Sequence, residues 1–251
     1  MNILIIGGTG FVGLELSKHL EDAGHNITLF HRNHAEGLPF KQTLGDCYSA
    51  DELRVSIGNA EPDCVIHTTA MNKRHIAALE KALPTATRAV IISSADVYKA
   101  FEVFNRLSDA PIQNVPLDKT SPLRDVRHFC RFNDDEYEKI DVETAALGSQ
   151  VIEPIILRLG MIFGANDPNR RFHDRIGAAQ DGCIALSADA ATWKTCYCGV
   201  KNAALGIALA ADKGRAGEIY NLADKDAFTE SEWYVKIAGL LNHNPEIILI
   251  D

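Results

Sequence analysis

The chain has 251 residues, 46% of them hydrophobic, and a formal charge of −9 at pH 7, which is enough for a substantial core in one large or two small domains. The acidic balance argues against non-specific binding to nucleic acid or anionic membrane, and a local basic patch such as Arg124, Arg127 and Arg131 reads first as a solvated face. No apolar run reaches the roughly 18 residues of a transmembrane helix, and the N-terminal apolar segment is a short strand without a cleavage site, so a cytoplasmic protein is expected.

Short apolar runs alternate with helical patterns along the chain, the signature of a parallel sheet covered on both faces. Strands are predicted at 2–6, 26–30, 42–45, 63–68, 88–93, 154–159 and 217–222. Helices are predicted near 11–24, 50–59, 72–83, 136–148, 200–212 and 230–241. The fold class is therefore α/β, a doubly wound, Rossmann-like parallel sheet of about seven strands with a small C-terminal substrate-binding portion. Residues 1–160 form the expected dinucleotide-binding core, and 161–251 a substrate-side segment interleaved with it.

The first strand breaks at Gly7-Gly8-Thr9-Gly10-Phe11-Val12-Gly13. Gly7 allows a tight turn, Gly10 lets backbone approach a pyrophosphate, and Gly13 lets the next helix pack close to the strand. The helix N-terminus supplies amide donors to the anion. That helix carries an apolar stripe at Phe11, Leu14, Leu16 and Leu20 and stops at Ala23-Gly24, where Gly24 suits a left-handed cap.

The second strand ends in His31-Arg32-Asn33, where a dinucleotide fold places its ribose-reading residue. No acid stands there, and the planar fork of Arg32 suits a 2′-phosphate, so NADP is expected over NAD. The alternative is an arginine stacked on adenine with either cofactor. Asp46, after the third strand, reads either as an acceptor for the adenine amino group or as a turn aspartate.

Cys47, Cys64, Cys130, Cys183, Cys196 and Cys198 are scattered and read mostly as buried free thiols. Cys196-Tyr197-Cys198 lacks a second ligand pair, the nine histidines show no paired-ligand spacing, and His67 at a strand end reads as structural, so no metal is expected.

From these residues the chain resembles an extended or atypical short-chain dehydrogenase/reductase of the NAD-dependent epimerase/dehydratase type, over essentially its whole length. The glycine turn is similar to that family's nucleotide turn. Asp63-Cys-Val-Ile-His-Thr68-Thr69-Ala70 resembles its fourth strand, whose end passes the ribose. Ile91-Ile-Ser-Ser94-Ala-Asp-Val-Tyr98 resembles the fifth, which puts Ser94 on the catalytic Ser/Thr. Leu157-Arg158-Leu159-Gly160-Met161-Ile162-Phe163-Gly164 resembles the sixth strand and nicotinamide loop, with Leu159 where the family has proline.

The family's Tyr-x-x-x-Lys motif is offset. Tyr137 and Lys139 stand two apart, whereas the chemistry places them four apart on one helix face. There the lysine lowers the phenol pKa so that it exchanges a proton with the substrate while hydride moves. Aligned through Lys139 and Glu143, the tyrosine position is Asp135. Tyr137 reaches the site if the helix begins after it. The resemblance therefore assigns Ser94, Tyr137 and Lys139 as catalytic, with Lys139 also on the nicotinamide ribose. It implies a hydride-transferring oxidoreductase or epimerase/dehydratase, with a nucleotide sugar among its candidate substrates, or alternatively a dinucleotide-binding sensor. An RNA-binding relative is opposed by the charge.

The proline-punctuated stretch from Phe101 to Asp135 reads as a lid or substrate loop, or as a surface insertion. Arg170 and Arg171, in a polar loop after the sixth strand, either hold an anionic group or face solvent. Trp193 and Trp233 read as packing residues, and Thr229-Glu-Ser-Glu232 as a capping box. The chain stops short of the family's usual length, so it is expected to be truncated or a minimal member, with its last strand's edge a place for pairing, as in a homodimer.

Overall fold

The computed structural model describes residues 1–109, 116–128, 136–244 and 246–250. Cys130, Arg131 and Asp135, each singled out in the sequence, lie outside the described residues. The chain divides into two compact units, Met1–Leu159 with Ala203–Leu222, and Gly160–Asn202 with Ala223–Asp251.

The first unit is built on β1 (Asn2–Ile6), β2 (Asn26–His31), β3 (Lys41–Leu44), β4 (Cys64–His67), β5 (Thr87–Ser94), β6 (Ile152–Leu159) and β10 (Ile219–Leu222). They form one seven-stranded sheet in the order β10-β6-β5-β4-β1-β2-β3, with every pair parallel. The apolar runs Ile3–Ile6, Cys64–Ile66 and Ala89–Ile92 are buried, as expected of strands covered on both faces. Strand order reverses at β1, which has β2 on one side and β4 on the other, and ligands bind outside the carboxyl ends of strands at such a switch point.

Three helices cover one face of this sheet: α2 (Ala50–Ala60), α3 (Lys73–Ala82) and α5 (Lys139–Gly148). Leu53 and Ile57, Ile76 and Leu79, and Val142 and Ala146 pack with Leu4, Ile6, Val65, Ile91 and Ile156 in one apolar cluster. The helix α1 (Phe11–Asp22) follows the glycine turn and ends where Gly24 takes φ +83°. A short helix α4 (Ala100–Phe104), absent from the sequence reading, opens the long connection after β5.

The predicted helix at 136–148 begins at Lys139 instead. Glu138 is extended at φ −158° and caps the helix by accepting from the Ile140 amide. An extended residue whose side chain takes an orphan amide is what starts a helix.

The second unit holds two parallel strand pairs. One joins β7 (Met161–Phe163) to β9 (Tyr197–Gly199), and the other joins β8 (Cys183–Ser187) to β11 (Glu246–Ile250). It also holds α6 (His173–Asp181), α7 (Ala188–Thr192) and α9 (Glu230–Leu240), while α8 (Val200–Lys213) runs from this unit into the first. Thr229 and Glu232 form the complete capping box of α9. No helix among the described residues is long and apolar enough to cross a membrane.

Candidate active site

The glycine turn sits at the carboxyl end of β1. Gly7 takes φ +84°, and a Cβ there would meet Thr68 and Thr69 at the end of β4. A Cβ on Gly13 would lie 2.6 Å from the Gly7 carbonyl and 2.7 Å from Gly8 backbone, so α1 rests directly on the turn. Gly10 is the N-cap and makes no side-chain cap bond, and the first turn of α1 holds no acid. The amides opening α1 therefore have neither an intrahelical acceptor nor a carboxylate, the condition for an anion site. Thr9, Phe11 and Val12 are half-buried at this edge. The turn thus fits a dinucleotide pyrophosphate.

The neighbouring strand ends complete this rim. Thr68 donates through Oγ1 to the Ile6 carbonyl at 2.9 Å and to the Gly7 carbonyl at 3.2 Å, fixing β4 to the turn. Ala70 is fully buried, and its carbonyl accepts from Lys139. At the end of β2, His31 is buried with Nε2 unpartnered, while Arg32 is exposed. Asp46 is also exposed, and its carboxylate accepts the Tyr48 amide at 3.0 Å, an Asx-type turn.

At the end of β5, Ser94 pairs in register with Leu159 of β6. Ser94 is half-buried, caps a 3-10 turn over Ala95–Val97, and accepts from the Asp96 amide at 3.2 Å. Tyr137 lies two residues ahead of α5, off the helix, and is 2% exposed. Its hydroxyl donates to Asp96 Oδ2 at 2.5 Å. Lys139 is buried in the first turn of α5, where Nζ donates to the carbonyls of Ala70 at 2.5 Å and Ile92 at 3.0 Å. It also stands 5.9 Å from the Tyr137 ring. Lys139 thus ties the ends of β4 and β5 to the helix.

Four charged residues to which the sequence reading gave no role in the site organise this region. Arg124 and Glu138 form an ion pair with both side chains fully buried. The Arg124 guanidinium also donates to the Asp96 carbonyl, and Glu138 accepts the amides of His128 and Ile140. Although burial pushes the Glu138 carboxyl up, those donors outweigh it and hold its pKa below the usual range. Deeper in, Glu143 accepts from Ser93 at 2.5 Å and twice from Arg158, whose Nη1 also reaches the Tyr98 hydroxyl. Burial pulls the Arg158 pKa down, yet the Glu143 carboxylate keeps it above the usual arginine value. Glu143 was legible as a face-mate of Lys139, four residues on along α5. Arg158, inside a buried strand, needed a buried acid.

Between these two ends, His67 is wholly buried at the end of β4, ring edge to His75 at 5.5 Å. Burial first, then His75 and Lys139, hold its pKa well below the ordinary histidine value. It is a neutral core residue.

In the second unit, a cavity of about 310 Å³ is lined by Gly164, Asn166, Asp167, Arg170, Phe172 and His173 among others. Arg171 pairs with Asp167 at 2.8 Å, and Arg175 forks onto Glu230. Arg170 instead reaches only the His173 ring. Trp233 packs edge-on against Phe163, Phe172, Tyr197 and Phe228, a packing role. Among the described residues no group of three or more His, Cys, Asp or Glu is placed to hold a metal ion.

Comparison with known proteins agrees with this fold. Residues 3–105 match the sequence model of the NAD dependent epimerase/dehydratase family. The 2′-dehydrokanamycin reductase of Streptomyces kanamyceticus is 24% identical over 254 residues, covering 94% of this chain. The chain spans 66% of that reductase's length, just under two thirds. The dTDP-glucose 4,6-dehydratase of Bacillus anthracis str. Ames, solved in complex with NAD, superposes with a TM-score of 0.76 at 17% identity, covering 100% of this chain and 85% of that one. For the UDP-N-acetylglucosamine 4-epimerase of Bacillus cereus the TM-score is 0.71 at 18% identity, covering 99% and 86%. The solved structures share the fold. Residues 3–105, the part that is similar to the NAD dependent epimerase/dehydratase family, carry the glycine turn, the end of β4 and Ser94.

Proposed function

We propose that the chain is an NAD(P)-dependent oxidoreductase or epimerase/dehydratase acting at a hydroxyl or carbonyl carbon of a sugar or sugar-like substrate. The observation that carries this reading is the pairing of a ligand-ready glycine turn with a half-buried Ser94 hydroxyl, both at the carboxyl edge of one sheet. A bound nicotinamide cofactor accepts or supplies the hydride. The turn amides and Thr9 hold the pyrophosphate, and Asp46 and the end of β4 flank the nucleoside. Arg32 with no acid beside it favours NADP over NAD. Ser94 holds the reacting oxygen, Lys139 fixes the nicotinamide-ribose side by clamping β4 to β5, and Tyr137 exchanges the proton. Within the second unit, Arg170, with its neighbours Arg171 and Arg175 paired to acids, is the candidate for holding an anionic group.

A second reading, a dinucleotide-binding sensor of the same fold, is favoured by one observation. The Tyr137 hydroxyl is buried and its proton is already donated to Asp96. Titration with NADPH and NADH by fluorescence, followed by incubation with keto-sugars and nucleotide sugars while absorbance is recorded, separates the two. The enzyme reading expects turnover that falls roughly 100-fold or more in Tyr137→Phe with NADPH affinity unchanged, the usual range for a general acid or base. Binding with no turnover across the panel establishes the sensor.

A further inference from the structure

On a helix, residues two apart stand about 200° around the axis from each other, so a tyrosine and a lysine at that spacing face apart. Tyr137 and Lys139 do not, because the residue between them is not helical. Glu138 is extended at φ −158° and ψ 99°, and in extended backbone side chains two apart fall on the same side. Lys139 Nζ accordingly stands 5.9 Å from the centre of the Tyr137 ring. The two side chains also straddle Ser94. Lys139 donates to the Ile92 carbonyl, two residues before it, and Tyr137 to the Asp96 carboxylate, two residues after it.

Glu138 is gripped where it leaves the helix. Its carboxylate accepts from Arg124 at 2.5 and 2.9 Å, with both side chains fully buried, and its amide donates to the Met71 carbonyl at 2.9 Å. Arg124 Nε also donates to the Asp96 carbonyl at 3.1 Å. One guanidinium therefore holds both the chain neighbour of Tyr137 and the residue that receives its hydroxyl, which closes a ring of Arg124, Asp96, Tyr137 and Glu138. A buried ion pair adds little net stability over well-packed apolar side chains, and what this pair supplies is geometry.

We infer that Arg124 and Glu138 are positioning residues for proton exchange, keeping the chain extended between Tyr137 and Lys139 so that a spacing of two does what a helix does with a spacing of four. They act through Tyr137 and touch no substrate. This rests on the enzyme reading above and adds to it what places the tyrosine.

The test compares kcat and KM for the keto-sugar or nucleotide sugar that the wild-type chain turns over, with thermal melts confirming that each variant folds. Arg124→Met/Glu138→Gln removes both charges together, so neither is left buried alone, and keeps an acceptor for the Ile140 amide. It is expected to lower kcat by about 10- to 100-fold, the cost of misplacing a reacting group by about 1 Å, and to leave KM within about 3-fold. Arg124→Lys keeps the charge facing Glu138 but lacks the fork that also reaches Asp96, so kcat is expected to fall about 10-fold. It decides the matter where the double variant does not fold. In a Tyr137→Phe background neither change is expected to lower kcat further by more than about 2-fold, because residues that act through one group are not additive. A further loss of about 10-fold in that background would show a general structural role and overturns the inference. So does a kcat that the folded variants leave unchanged, a loss carried by KM alone, or a kcat insensitive to Tyr137→Phe, although the wild-type turnover then upholds the enzyme reading. A wild-type chain that turns over no member of the panel overturns both.

Discussion

The two ends of the site are built from opposite materials. The glycine turn presents backbone: Gly10 caps α1 without a side chain, no acid occupies the first turn, and Gly7 and Gly13 leave no room for a Cβ. The β5–α5 end presents side chains, nearly all bonded to one another. Tyr137 holds Asp96, Lys139 holds two carbonyls, and Arg124 and Glu138 form a buried pair. A rim of unpaired amides is unstable until an anion fills it, whereas a network of matched charges is complete by itself. The first end is thus poised for a ligand, and the second ties Asp96, Arg124 and His128 to the start of α5.

The comparison breaks most sharply at Arg124. Arg124→Met leaves the buried Glu138 carboxylate with only the half-exposed Arg127 as its cation, 3.2 Å away, which costs up to about 3–5 kcal/mol of stability. Urea titration should show the loss, and NADPH affinity of the still-folded fraction should hold. If NADPH affinity collapses in step with stability, the two ends are not separate devices.

At the other end, Gly13→Ala forces a methyl against the Gly7 carbonyl and Gly8. Overpacking of this kind costs about 1–3 kcal/mol, and it should appear mainly in cofactor binding, as an approximately 10- to 100-fold weaker Kd for NADPH. A drop in melting temperature with unchanged Kd would show that the turn serves packing alone.

Acid should act on the interior before it acts on the turn. His67 is neutral in the fold, with a pKa lowered from 6.5. The unfolded chain therefore binds a proton that the folded chain does not, and stability falls as the pH drops below 6.5. The slope for one proton is about 1.4 kcal/mol per pH unit. Glu138, lowered from 4.5, contributes stability that is present above that value and is lost below it, as the pH falls toward the lowered folded pKa. Stability measured from pH 7 to 4 should decline in two stages, and His67→Gln should remove the first. A single decline near pH 4 in the wild type would show that His67 plays no part.

Thr229→Ala provides the smallest effect and the control. It removes the capping box of α9, in the second unit, at a cost of about 1 kcal/mol. NADPH affinity should be unchanged, because Thr229 belongs to neither end of the site.

The sheet was largely legible in the sequence. All seven predicted strands appear within a residue or two, because strands buried on both faces must be continuous apolar runs and β1, β4 and β5 are such runs. The turn was legible for a related reason: Gly7 and Gly13 sit where any side chain would collide with backbone or with Thr68 and Thr69. The α9 cap was readable from Thr229 and Glu232 alone. The second unit was harder. The short strands β7, β8 and β9 and the helices α6 and α7 carry no long periodic pattern, and their pairing is decided by partners distant in sequence, as when Cys183–Ser187 pairs with Glu246–Ile250.

What the sequence determined by itself was local: where apolar runs become strands, where glycine alone fits, and that no acid follows β2 to receive a ribose. Tertiary structure decided the fates of the charged residues. Nothing in the spacing of Tyr137 and Lys139 shows that one bonds Asp96, 41 residues away, and that the other bonds Ala70 and Ile92, 69 and 47 residues away. Nor does it show that His31 is left with a buried nitrogen unpaired. Hydrophobic periodicity is written along the chain, but a buried hydrogen bond depends on which distant donor the fold brings within 3 Å.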